Sequence, residues 1–311
     1  MADGKNRFEE HPPSISLIES IRNFGYDFFS AIADLLDNSI TANASRVDIH
    51  LDWNQGDLLV SISDDGIGMS EQELRENMIL GSRNPRLSRD VGDLGRFGLG
   101  LKTASFSMAR ELHVLSRKPG HPITYRSWNL DFIEEKGRWV VDTILPDWLQ
   151  KYASFDWSNG TVVIWNRCDN LKKRADSFTS LGILGNDLRE NLGVIFCRYI
   201  EQRRISINVN GTPVFPWNPI PDNSVFLSKQ IFENVEVLPY VLPHHTTYAD
   251  NQEKYRKDGG LKGWTAQQGF YVYRSDRLIV NGGWLGLKNM KNSHHTSLAR
   301  IIVNIDNKTD D

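Results

Sequence analysis

The chain has 311 residues, 40% of them hydrophobic and 24% charged, with a net charge of −3. That is the composition of an ordinary globular protein of about two domains. No apolar stretch reaches the ~18 residues of a membrane span, and the charge argues against a protein that coats nucleic acid over its whole surface, though not against a local basic patch.

The chain opens with a polar, proline-containing stretch, residues 1–14, which reads as a mobile arm without the apolar core of a secretory signal. From Ser14 to about Ala44 the pattern is helical, with Ile32, Leu35 and Leu36 at helical spacing. RVDIHLDW alternates as a strand, and DLLVSISDDGIGM is a second strand running into a glycine-containing turn. SEQELRENM carries Ser70 and, three residues on, Glu73, the signature of a capping box at the start of a short helix. Residues 81–100 are rich in Gly and Arg without periodicity and read as a loop, with LKTASFSMA opening a helix after it. ELHVLSRK, PITYRSWNL and GTVVIWNR are strands. Residues 15–170 thus form an α+β unit of helices layered on an antiparallel or mixed sheet.

Residues 171–200 read as a polar linker and an amphipathic helix, and 201–311 as a second α+β unit. Within that unit RISINVNGTPVFP is a hairpin turning at Asn210-Gly211. NVEVLPYVLP, QGFYVYRSDRLIV and RIIVNID are strand-like. The end, just after a strand, reads as a possible cut through a longer protein. The two cysteines, Cys168 and Cys197, make neither a disulfide framework nor a zinc site and fit a reducing, cytoplasmic compartment.

Three short segments carry chemistry. Asp34 and Asn38 lie four apart in an apolar helix, so a carboxylate and an amide share one face. Together they suit an activated water and a hard, oxygen-seeking cation such as Mg²⁺; taken alone, they read first as two solvated helix residues. Asp64-Asp65-Gly66-Ile67-Gly68-Met69 follows a strand, where a carboxylate can accept from an exocyclic amine and glycines admit a ring close to the backbone; the plainer alternative is an Asp-Gly turn. Gly95-Arg96-Phe97-Gly98-Leu99-Gly100-Leu101-Lys102 opens a helix and offers backbone N–H groups, a helix dipole and an ammonium to phosphates. It is not a Rossmann fingerprint, because no β-α-β unit surrounds it, and no P-loop occurs in the chain.

In this order and spacing the three segments, with Gly160-Thr161 opening a later strand, resemble the N, G1 and G2 boxes of the GHKL ATPases. That family includes gyrase B, the ninety-kilodalton heat-shock chaperone, histidine kinases, MutL and MORC proteins. The resemblance covers about residues 15–165 and implies the Bergerat α/β sandwich, with ATP and Mg²⁺ as ligands. It places Asn38 on the metal and Asp34 as the base that activates water. Asp64 would hold the adenine amine with Thr161 assisting, and Gly66, Gly68 and Met69 would shape the adenine pocket. Residues 81–100 become an ATP lid in which Gly95, Arg96, Phe97, Gly98, Leu99 and Gly100 surround the phosphates, with Lys102 toward the γ-phosphate.

Hydrolysing members of the family mostly have Glu where Asp34 stands. A general base must lie within ~2.6–3.2 Å of its water, so one missing methylene separates a slow ATPase from a site that binds ATP with hardly any turnover. The 14 residues before the first helix leave no room for the phospho-acceptor helix of a histidine kinase. GFYVYRSDRLIVNGGWLGL and DLRENLGVIFCRYIEQRRISINVNG look most like MORC segments, with MutL as the next candidate, and the second unit resembles their ribosomal-protein-type β-α-β transducer. The transducer lysine expected after a late strand would lie beyond the chain's end, and Lys288 and Lys291 are poor substitutes. The resemblance implies an ATP-gated homodimeric clamp in DNA transactions or phage defence, with Arg83, Arg86, Arg89 and Arg96 serving phosphates, partner or DNA. The rivals are a regulatory subunit without turnover that controls a partner nuclease, and a chaperone-like clamp on proteins. His294-His295 invites a metal reading, but adjacent histidines point apart and a polar loop is the simpler expectation.

Overall fold

In the computed structural model the described residues are 20, 22, 26–54, 56–79, 100–153, 158–171, 177–248 and 251–306. The expected arm, residues 1–14, and residues 81–99 of the expected lid fall outside them, and with the latter Gly95, Arg96, Phe97, Gly98 and Leu99.

The chain is α+β, built on two sheets. Helix α1 (Phe28–Thr41) starts where Asp27 accepts from the backbone N–H groups of Phe29 and Ser30. Strands β1 (Arg46–Asn54) and β2 (Asp57–Asp64) form an antiparallel hairpin. Helix α2 (Glu71–Met78) has the expected capping box between Ser70 and Glu73. Helix α3 (Gly100–Met108) leads into β3 (Glu111–Arg117) and β4 (Thr124–Asn129). Asn129 then caps a short helix, α4 (Leu130–Lys136), by accepting from Asp131 and Phe132. Helix α5 (Gln150–Ala153) precedes β5 (Gly160–Asn166). The long α6 (Phe178–Ile195) and α7 (Cys197–Glu201) connect to β6 (Ser206–Val209) and β7 (Thr212–Pro213).

The first sheet runs β4-β3-β5-β2-β1-β6-β7, antiparallel except for the parallel β1–β6 pair. The Asn210-Gly211 hairpin forms as its sequence requires: both residues have positive φ, 49° and 73°, as a two-residue primed turn demands. It does not join the second sheet, however. It extends the first, because β6 pairs with β1 in register Arg46↔Ser206 to Ile49↔Val209.

The second sheet runs β12-β11-β13-β10-β8, with β9 also on β10. Its strands are β8 (Val225–Phe226), β9 (Gln230–Phe232), β10 (Val235–Val241), β11 (Gly269–Arg274), β12 (Arg277–Asn281) and β13 (Ala299–Ile305). Helices α8 (Gln252–Asp258) and α9 (Gly263–Ala266) lie between β10 and β11. The run QGFYVYRSDRLIV is not one strand. Ser275 and Asp276, both at positive φ (46° and 68°), fold it into the β11–β12 hairpin. Of the two, Asp276 is of a type that tolerates this conformation, because its short polar side chain can bond locally.

One face of the first sheet packs on α1, α3 and α6 through Ile32, Leu36, Phe106, Leu188, Leu192 and Trp165, all fully buried. This core fixes the angle between α1 and β2, the two elements that carry Asp34, Asn38 and Asp64. Its opposite face is covered by Leu149 and Tyr152 over Leu59, Leu115 and Ile164. A separate cluster around Tyr240, Tyr271, Tyr273 and Ile302 holds the second sheet and takes in Val194 of α6. Among the described residues no helix is long and apolar enough to cross a membrane. Cys168 and Cys197 are buried free thiols.

Candidate nucleotide site

The site begins where β2 ends. Asp64 is 6% exposed. Its Oδ1 accepts from the Gly66 N–H at 2.9 Å and its Oδ2 from the Ser39 hydroxyl at 3.0 Å. Burial pushes its carboxyl up to about 6, against the pull of the Gly66, Ser39 and Thr161 donors. A buried carboxylate served by three donors but by no cation in that set is an unusual object. Such groups normally pair with charge or take part in binding.

Thr161 is the register partner of Asp64 across β2 and β5. Its hydroxyl lies 2.9 Å from that of Ser116, and Ser116 accepts from the Met69 N–H at 2.8 Å. Asp64, Thr161, Ser116 and Met69 therefore form one polar seam joining the 64–69 turn to β3 and β5. Asn159 closes its outer side by donating to the carbonyls of Asp65 and Gly66 at 3.1 and 2.6 Å.

The glycines have structural reasons of their own. A Cβ on Gly68 would lie 1.8 Å from the Arg117 carbonyl oxygen, and its φ is +65°. A Cβ on Gly66 would meet Ala42 at 2.8 Å. These residues let the turn lie against α1's end and β3, which sets the floor beside Asp64. Ile67, between them, is 55% exposed.

Asn38 is exposed on α1, one turn beyond half-buried Asp34. Both present side-chain oxygens, a donor set suited to a hard cation and its waters. Asp34 is held at both oxygens: Oδ2 accepts from the Tyr26 hydroxyl at 3.0 Å and Oδ1 from Arg277 Nη2 at 3.1 Å. Burial, then the Asp34 charge, raises the Tyr26 phenol above its usual range. Next to Asp34, Asp37 is pushed up to about 7 by burial, with Arg277 pulling the other way.

Gly100 opens α3, and among the described residues a Cβ there would meet nothing within 4 Å. Two residues on, Lys102 is 1% exposed and its Nζ donates to the Ile79 carbonyl at the end of α2. The lysine expected near the γ-phosphate thus joins the two ends of the segment between α2 and α3.

The structure brings Asp64, Gly66, Gly68, Met69 and Thr161 into contact around one seam, and sets Asn38 and Asp34 on the helix tied to it through Ser39. Sequence reasoning missed Ser39, Ser116, Asn159, Tyr26 and Arg277. Ser39 had a signal, adjacency to Asn38; Arg277, 243 residues from Asp34, had none. His294 and His295 border a separate cavity of about 450 Å³ together with His244, His245, Tyr255 and Trp264. Among the described residues no group of three or more His, Cys, Asp or Glu has metal-holding geometry.

Residues 26–161 match the family described as histidine kinase-, DNA gyrase B- and HSP90-like ATPase. The chain is 32% identical over 126 residues to mouse MORC family CW-type zinc finger protein 1, covering 40% of this chain and 13% of that protein. It is 29% identical over 123 residues to human ATPase MORC2, covering 39% and 12%. Over 96 residues it is 30% identical to the chaperone protein HtpG of Vesicomyosocius okutanii, covering 28% and 15%. The matched stretch thus spans about an eighth of the length of these MORC proteins.

Proposed function

Since residues 26–161 form a GHKL ATPase domain of the kind that MORC-family ATPases carry, we propose that this chain binds Mg²⁺–ATP at the Asp64 seam and hydrolyses it slowly. The observation that carries the reading is the buried Asp64 carboxylate, oriented by Ser39 and Gly66 at the mouth of a turn whose neighbouring helix presents Asn38.

In this reading Asp64 accepts from the adenine amine, and Ser39, Gly66 and Thr161 keep its lone pairs aimed. Asn38 offers its amide oxygen to the metal. The start of α3 at Gly100 offers backbone N–H groups to the phosphates. The metal supplies charge neutralisation at the phosphates. Asp34 accepts the proton of the attacking water. Gly95, Arg96, Phe97, Gly98 and Leu99 complete the phosphate-binding lid, and Lys102 moves from Ile79 toward the γ-phosphate.

We assign residues 15–170 to the ATPase domain, 171–200 to the connection and 201–311 to a transducer-like unit, whose opening β6–β7 hairpin is lent to the sheet of the ATPase domain. The two units together act as an ATP-gated homodimeric clamp in the cytoplasm, on DNA or with a partner defence or nuclease subunit. A second reading, ATP binding as a switch with hardly any turnover, is favoured by one observation: Asp34, already short, has both oxygens engaged. A chaperone-like clamp on proteins is the third.

Titration with a fluorescent ATP analogue and phosphate-release assays test the proposal. Asp64→Asn is expected to abolish binding, and Asp34→Asn to keep binding and abolish release. Retained affinity in the first variant refutes the adenine assignment, and retained release in the second refutes Asp34 as base.

A further inference from the structure

Arg277 reaches α1 from the second sheet. Its Nη2 donates to Asp34 Oδ1 at 3.1 Å, while its Nε lies 2.9 Å from Asp37 Oδ2. The side chain is 13% exposed, and its guanidinium spans two carboxylates three residues apart on one helix face. A planar fork presents a separate N–H to each in a fixed direction, whereas an ammonium is one point charge on a flexible stem.

The placement is built rather than incidental. Arg277 is the first residue of β12, directly after the two-residue turn at Ser275-Asp276. That turn is fastened to α7 and the residues after it. The Tyr199 hydroxyl donates to the Ser275 carbonyl at 2.7 Å, and Asp276 pairs with Arg198 at 3.2 Å and Arg204 at 2.6 Å. Arg198 also stacks over the Tyr273 ring at 3.5 Å. A carboxylate offers about four acceptor positions. Tyr26 and Arg277 use one on each Asp34 oxygen, which fixes the side chain's orientation and leaves positions for water.

We propose that Arg277 is a positioning residue for Asp34: a guanidinium from the second sheet that aims the candidate base, so that hydrolysis depends on how the second sheet docks against α1. The inference rests on the reading of Asp34 as base.

The test uses the full chain and reads ATP affinity, phosphate release and thermal stability together. Arg277→Lys keeps a cation against buried Asp37 but loses the rigid fork that sets the direction of each N–H. It is expected to leave the melting temperature and ATP affinity near the parent's, within twofold for affinity, and to lower kcat roughly tenfold. Because removing the cation would strand a buried carboxylate, the charge-free variant is R277Q made in a D37N parent, with the same split expected. A kcat within twofold of the parent in both variants overturns the proposal. So does a loss of affinity and stability in step with kcat, which marks a merely structural bridge. A parent chain that binds ATP and releases no phosphate instead defeats the hydrolysis reading, and leaves Arg277 with no base to aim.

Discussion

The hydroxyl of Ser39 donates to Asp64 Oδ2 at 3.0 Å, fastening α1 to the last residue of β2. This single bond joins the helix that carries Asp34 and Asn38 to the carboxylate at the floor of the site. Burial opposes the charge of Asp64 and pushes its carboxyl up to about 6 in the folded chain.

That value sets a pH dependence. An unfolded Asp titrates near ~3.9, so between about pH 4 and 6 the folded chain holds the proton that the unfolded chain has released. Stability from this group is therefore greatest at low pH and falls as pH rises to about 6, a total cost of roughly 3 kcal/mol. Ligand binding runs the opposite way, since accepting from an amine needs the carboxylate. ATP affinity is expected to be flat above pH 7 and to fall about tenfold per unit well below 6. Titrations of the ATP analogue from pH 5 to 8 check this, and D64N should melt at the parent's temperature or higher at pH 7.

Gly68 should tolerate no side chain. Its positive φ and the Arg117 carbonyl 1.8 Å from a would-be Cβ predict that Gly68→Ala costs roughly 3 kcal/mol in urea unfolding. Gly56, at φ +86° with nothing within 4 Å among the described residues, is the control. There Ala should cost only the conformational strain, about 1 kcal/mol.

The β11–β12 turn offers a third measurement. Asp276→Asn keeps a residue that accepts its φ of 68° but removes the charge facing Arg198 and Arg204. These pairs are partly exposed, so a loss of only about 1 kcal/mol is expected. Asp276→Ala should cost more, because Ala also resists the left-handed conformation.

The clamp proposal predicts association on nucleotide binding. Light scattering with a non-hydrolysable ATP analogue should show a dimer that the nucleotide-free chain does not form, and an unchanged mass counts against the clamp. If DNA is engaged through Lys and Arg, its affinity should drop steeply with salt.

What could be read from the sequence was what is local. The capping box of Ser70 and Glu73, the Asn210-Gly211 turn and the alternation in β1 are each written within a few residues, and each forms as read. The segments around Asp34, Asp64 and Lys102 were recognisable because their residue types and order are themselves the signal. The turn at Ser275-Asp276 was missed because it lacks glycine and interrupts an otherwise strand-like run. The Arg277 bridge to Asp34 was unreadable for a different reason, since nothing periodic connects residues so far apart. Lys102 illustrates a third case. Its place after the glycines suggests a phosphate contact, but a helix start fixes only the backbone, and the bond of its side chain to the Ile79 carbonyl could not be read from the residue types.

The parallel β1–β6 pair has a practical consequence for dissecting the protein. The family match stops at residue 161, yet β6 covers the edge of β1, and Leu184, Leu188 and Leu192 of α6 fill the same core as α1. A fragment ended near residue 170 would bare both a strand edge and an apolar helix seat, the two features that drive chains to aggregate. The inherited segment and the segment that can fold by itself therefore have different ends. The shortest fragment worth expressing runs through the β6–β7 hairpin to Val214, whose side chain belongs to that core.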